Sequence, residues 1–144
     1  MTVQQILKVK GDAPVVTVPS TASLSEVAQV LSARRIGAVV VSDDGVHPLG
    51  ILSERDIVRE LGRRGVTCMS DQVTGVMTSK LITCTRGDRL TDVMQKMTDG
   101  RFRHLPVMEG EKMVGVISIG DVVKIRLDEL AMEKEALEGM IKGF

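Results

Sequence analysis

The chain has 144 residues, with 19 basic and 19 acidic side chains and a formal net charge of +0. That balance removes any general electrostatic pull toward nucleic acid or an anionic membrane surface, and the length sets one compact domain as the expectation. Hydrophobic residues make up 43% of the chain, yet there is no Trp, no Tyr and only two Phe, so the core must be aliphatic and the aromatic platforms used by single-strand nucleic-acid binders are missing.

The N-terminal MTVQQILKVKGD lacks the long apolar run of a secretory signal, and no stretch approaches the roughly 20 apolar residues of a membrane span. A cytoplasmic protein is expected. A strand is predicted over 14–18, then a helix with Leu24, Val27, Ala28 and Leu31 on one face. A second strand over 37–41, a turn over 42–48 and a third strand over 49–53 lead into a helix starting near Glu54. Gly62 and Gly65 read as helix stops. After a joining segment the series resumes: a strand over 81–85, a helix with Leu90, Val93, Met94 and Met97 on one face, strands over 103–107 and 114–118, and a helix from about Ile119. Met94, Met97, Met108 and Met113 read first as core filler, and second as an adaptable aliphatic lining. Cys68 and Cys84 show no metal-type spacing and are expected as reduced thiols.

The chain is therefore written twice. At an offset of 66, Thr17 meets Thr83, Leu24 meets Leu90, Val27 meets Val93 and Arg35 meets Arg101; after one extra turn residue the offset is 65, and Gly50 meets Gly115, Ser53 meets Ser118 and Asp56 meets Asp121. This divides the chain into a first repeat with its N-terminal segment (1–62), a linker with a short helix (63–79), a second repeat (80–127) and a C-terminal helical extension (128–144). Neither repeat of about 50 residues would bury a sufficient core alone.

The strongest local signal is Gly-x-x-Ser-x-x-Asp, as Gly50–Asp56 and Gly115–Asp121, each where a strand turns into a helix. One reading is a capping box, with Ser53 or Ser118 at the N-cap and the Asp reaching back. The other is a ribose site, because a carboxylate can accept from both hydroxyls of a diol while a helix N-terminus favours phosphate oxygens. The two readings are compatible.

These motifs, with GAVVVSDDG and RHLPV ahead of them, resemble a pair of CBS motifs (the repeat named after cystathionine β-synthase) over about residues 1–128. The resemblance implies an α/β (α+β) fold of two β-α-β-β-α units packed about a pseudo-twofold through their sheets. It also implies two clefts between the repeats, an adenine nucleotide ligand (AMP, ADP, ATP or NAD(H), with S-adenosylmethionine also known in such pairs), and regulation of a partner protein rather than catalysis. Carried onto this sequence, it places the ribose on Asp56 and Asp121 with Ser53 and Ser118. The Asp56 cleft would borrow its phosphate arm, Arg103 and His104, from the second repeat, with Arg55 and Arg101 as helpers. The Asp121 cleft would be walled by Ile36, Gly37 and Ala38, where Gly37 and Ala38 replace the arm, so the two sites are expected to differ; Thr17 and Thr83 complete the walls. The loop containing Lys10, Gly11 and Asp12 is longer than its counterpart, and Lys10 could fold over a cleft to meet phosphate.

Along the final helix Val123, Leu127, Leu130, Leu137 and Ile141 recur at alternating four and three spacing, interrupted by Lys134. That resembles a short coiled-coil stripe or a helix laid on a neighbour; the readings are dimerisation, contact with a target, or packing on its own domain, and a homodimer is favoured. The competing readings are a structural dimerisation module without nucleotide and, more remotely, a hydrolase using His104. No catalytic constellation, P-loop or metal set is apparent, and His47 is the only other histidine.

Overall fold

In a computed structural model, which describes residues 1–11 and 14–141, the repeated order is realised with one abbreviation. Helix α1 (Val3–Lys10) leads into the first repeat: β1 (Thr17–Val18), α2 (Leu24–Arg34), β2 (Ala38–Val41), β3 (Gly50–Ser53) and α3 (Glu54–Arg64). Two 3₁₀ turns, Val66–Ser70 and Val73–Gly75, join it to α4 (Leu90–Gly100), β4 (His104–Glu109), β5 (Lys112–Ser118) and α5 (Ile119–Ile141). Asp12 and the end of the C-terminal extension, 142–144, lie outside the described residues.

In the first repeat β1 pairs parallel with β2, and β2 antiparallel with β3, Ala38 facing Ser53. In the second, β4 and β5 pair antiparallel with His104 facing Ser118, the same register one repeat later. The strand predicted over 81–85 shrinks to a single parallel bridge between Cys84 and Val107. Proline explains the loss. In the first repeat Val40 N–H donates to the Val16 carbonyl at 3.3 Å; the counterpart of Val40 is Pro106, which has no N–H to give to residue 82. Only the bonds on either side survive, Cys84 N–H to Pro106 O at 3.0 Å and Met108 N–H to Cys84 O at 2.8 Å.

Each repeat builds its core with help from the segment preceding the other. Val3 and Ile6 of α1 are buried with Leu90, Val93, Leu105 and Ile117 of the second repeat. Cys68 and Val73 of the linker are buried with Leu24, Val27, Val39 and Leu52 of the first. Each fully buried aliphatic side chain of this kind contributes about 1.5–3 kcal/mol, so α1 is a structural part of the second repeat. Cys68 and Cys84 are free thiols in separate cores, and burial pushes the Cys84 thiol up to about 11. The helix-stop expectation holds for Gly65, which caps α3 at φ 76 with its N–H on the Leu61 carbonyl, but not for Gly62, which lies within α3. Gly62 sits on an exposed turn, where a helical glycine costs only about 1 kcal/mol.

The repeats meet where β2 and β4 approach one another. A Cβ built on Gly37 would lie 3.6 Å from His104 Cε1, an ordinary van der Waals contact, so Gly37, just ahead of β2, lies beside the histidine of the other repeat. Met113 N–H also donates across the repeats to the Val46 carbonyl at 2.8 Å.

Candidate functional site: two clefts between the repeats

Both Gly-x-x-Ser-x-x-Asp segments form capping boxes. Asp56 Oδ2 accepts from Ser53 N–H at 2.9 Å and Ser53 Oγ–H at 3.0 Å, while Ser53 Oγ accepts from Asp56 N–H at 3.3 Å. Asp121 Oδ2 accepts from Ser118 N–H at 2.8 Å, and Ser118 Oγ from Asp121 N–H at 3.1 Å. The same two residues that start each helix thereby present its carboxylate and N-terminus to a cleft.

The first cleft, about 550 Å³, brings Ser53, Arg55 and Asp56 of one repeat to Arg101, Arg103 and His104 of the other. This is the crossed arrangement expected from sequence, and the volume falls within the range of about 300–1,000 Å³ typical of small-molecule sites. Arg55, Arg101 and Arg103 form no ion pair among the described residues, whereas Arg59 Nη2 lies 3.3 Å from Asp56 Oδ1. Glu54 also lines this cleft.

The second cleft, about 810 Å³, contains Asp121 with Ile36, Gly37 and Ala38, again as expected. Lys10 does reach into it, but its ammonium pairs with Asp121 Oδ2 at 2.8 Å and donates to the Val116 carbonyl at 2.7 Å. Burial pushes the Asp121 carboxyl up, and the bonds from Lys10 and Ser118 outweigh it, leaving the group below the ordinary carboxylate range.

His104 belongs to both clefts, as do Gly37, Ala38 and Ser118. Burial, then the nearby positive charge of Lys10, holds its imidazole below the ordinary value of 6.5, against opposing pulls from Asp121 and Glu54.

Thr17 and Thr83 line neither cleft. In this segment the second cleft is lined instead by Pro14, Val15 and Val16. In the second repeat the shortened strand leaves the corresponding wall to Thr78, and the Thr83 carbonyl accepts from Lys96 Nζ at 2.9 Å. Arg35 was not expected to take part, yet it lines the second cleft. Its alignment with Arg101 was the available signal. Both arginines cap their helices in the left-handed region, at φ 54 and φ 56, where Gly or Asn is ordinarily preferred.

The family model described as CBS domain matches residues 9–63 and 73–128, and the chain belongs to the CBS domain family. It is 33% identical over 99% of its length to the CBS domain-containing protein CBSX3, mitochondrial, of Arabidopsis thaliana, of which it spans 72%. It spans only 22% of another relative of that plant, CBSCBSPB5, at 30% identity. Among solved structures it is similar to a CBS-domain containing protein from Agrobacterium tumefaciens, with 42% identity, a TM-score of 0.83, and 88% and 99% of the two chains covered. It is also similar to a CBS domain protein from Pyrobaculum aerophilum complexed with AMP, with 31% identity, a TM-score of 0.73, and 84% and 89% covered. The fold is thus the mixed α and β architecture of a CBS pair.

Proposed function

We propose that the protein is a non-catalytic regulatory module that binds an adenine nucleotide between its two CBS motifs, with the Asp56 cleft as the principal site. The observation that carries the reading is Asp56, at the N-terminus of α3, facing three arginines without ion-pair partners among the described residues, two of them from the other repeat. Asp56 takes the ribose diol, Arg103 and Arg101 take phosphate with Arg55 assisting, and the apolar lining of the cleft, Ile51, Phe102 and Ile119, walls the base. The AMP complex of the Pyrobaculum relative supports this ligand class; ADP, ATP and NAD(H) share the adenosine and phosphate chemistry. A ligand that binds only the native state raises stability by RT ln(1 + [L]/Kd), about 2.7 kcal/mol at a hundredfold excess over Kd. Melting of ligand-stripped protein with each nucleotide, beside Asp56→Ala, therefore tests the reading.

The reading includes a cytoplasmic homodimer that reports occupancy to a partner protein. No helix among the described residues is long and apolar enough to cross a membrane. Support for self-association comes from α5, whose stripe is open to solvent throughout: Val123 is 48% exposed, Leu127 60%, Leu130 44%, Leu137 60% and Ile141 85%. A second copy of the same stripe supplies the matching apolar seam. In sedimentation, wild type is expected as a dimer and Leu127→Lys/Leu130→Lys as a folded monomer; a monomeric wild type removes the dimer from the account.

A further inference from the structure

Lys10 ends α1, the helix that precedes the first repeat in sequence and packs on the second in space. Its ammonium lies on the carboxylate of Asp121, the oxygen set that a ribose diol would need, and on the carbonyl of Val116. Among the described residues the first repeat has no such contact. Ile51, the counterpart of Val116, is held instead by backbone: its N–H donates to Thr78 O at 3.0 Å and its carbonyl accepts from Thr78 N–H at 2.9 Å. Among the described residues the cation within ion-pair distance of Asp56 is Arg59 of its own helix, at 3.3 Å. One cleft is thus flanked by a fixed backbone bridge, the other by a side chain for which a ligand can compete.

The other cations at the second cleft are unequal. Arg86 is committed to Glu109 and Gln4, at 2.8 Å each. Lys8 and Arg35 have no ion-pair partner among the described residues. Arg35 also keeps a left-handed backbone that a glycine would adopt more easily.

We propose that Lys10 is the specificity-determining residue of the Asp121 cleft, holding the ribose anchor closed to neutral and cationic nucleosides and releasing it to a nucleoside that carries a phosphate. The proposal rests on the reading of the clefts as adenine-nucleotide sites. An ammonium–carboxylate bond is roughly twice as strong as one between neutral groups, so the uncharged hydroxyls of adenosine do not displace it on equal terms. A cationic ligand such as S-adenosylmethionine adds repulsion from Lys10 and Arg35. A phosphate ester instead gives the ammonium a new anionic partner within the swing of its flexible four-carbon stem, with Arg35 as a second donor, and Asp121 is freed for the diol.

The test uses Asp56→Ala, in which only the second cleft keeps its anchor, titrated calorimetrically with AMP, adenosine and S-adenosylmethionine, and the same protein carrying Lys10→Met. AMP is expected to bind Asp56→Ala at least about tenfold more tightly than adenosine, the size of one charge-assisted hydrogen bond, with S-adenosylmethionine weakest. Lys10→Met is expected to collapse that ratio, with adenosine gaining affinity. A carboxyl-carbon NMR titration of Asp121 in the ligand-free protein checks the contact itself: Lys10→Met moves the titration to higher pH, and an unmoved curve overturns the proposal. So does an AMP-to-adenosine ratio that Lys10→Met leaves unchanged, or a second cleft that binds nothing with or without Lys10. If wild type binds AMP and Asp56→Ala binds none, the proposal falls while the principal site stands. If wild type binds no adenine ligand at all, the nucleotide reading falls with it.

Discussion

Replacing Gly50 by alanine tests why the repeated motif begins with glycine. Neither Gly50 nor Gly115 has positive φ, so the demand is for space rather than backbone freedom. A Cβ on Gly50 would sit 2.5 Å from Met77 Sδ, 2.8 Å from Met77 Cγ and 3.0 Å from the Thr78 carbonyl oxygen, against an ordinary carbon contact of about 3.5–4.0 Å. Met77 can turn aside, but the Thr78 carbonyl is tied to Ile51. Relief therefore separates β3 from the linker beside the first cleft. Overpacking of this kind costs about 1–3 kcal/mol, offset by roughly 0.4–1 kcal/mol from the stiffer unfolded chain. Gly115→Ala is the internal control, because its Cβ meets only the end of a partly exposed side chain, Leu7 Cδ2, at 2.8 Å. Urea denaturation of both variants is expected to show Gly50→Ala destabilised by about 1–2 kcal/mol and Gly115→Ala near neutral. Equal losses, or a larger loss at Gly115, would refute the argument from the fixed carbonyl.

Two further predictions separate stability from binding. Arg101→Gly relieves a left-handed arginine and is expected to stabilise the fold by about 1 kcal/mol while weakening nucleotide binding at the first cleft; melting and calorimetry on the same sample check both signs, and loss of stability contradicts the prediction. His104 titrates below 6.5 in the fold, so the unfolded chain takes up the proton first as pH falls. Its contribution to stability is present above pH 6.5 and is lost as pH falls below that value toward the folded pKa. A bound phosphate reverses the bias and raises the imidazole pKa, so nucleotide binding near pH 6 is expected to draw a proton from solution, seen as a buffer-dependent heat that disappears in His104→Asn. Proton release, or uptake that survives the substitution, contradicts it.

The repeat made most of the fold legible, because helical faces such as Leu24, Val27 and Leu31 and their counterparts Leu90, Val93 and Met97 carry a period that packing preserves. The crossed pairing of Asp56 with Arg103 followed from the resemblance of the two copies to the CBS motif. What pattern alone did not give depends on single groups or on contacts distant in sequence. The lost strand near Cys84 follows from one missing N–H at Pro106. The cross-packing of α1 lies in tertiary contacts that local periodicity does not encode. Lys10 was visible as a long-loop cation, but whether it would meet phosphate or Asp121 depended on a partner more than a hundred residues away. Arg35 aligns with Arg101, the helix-cap arginine read as a phosphate helper at the first cleft, and that symmetry was not carried over to the second cleft.

The most direct test of the central claim is calorimetric titration of the ligand-stripped protein with AMP, in wild type, Asp56→Ala and Arg103→Ala. The account predicts binding that is lost or severely weakened at one site in both variants, while each retains its fold within the roughly 0.5–2 kcal/mol expected for a lost helix cap at Asp56. Binding of full strength in both variants, or no binding of any adenine nucleotide to wild type, would contradict it.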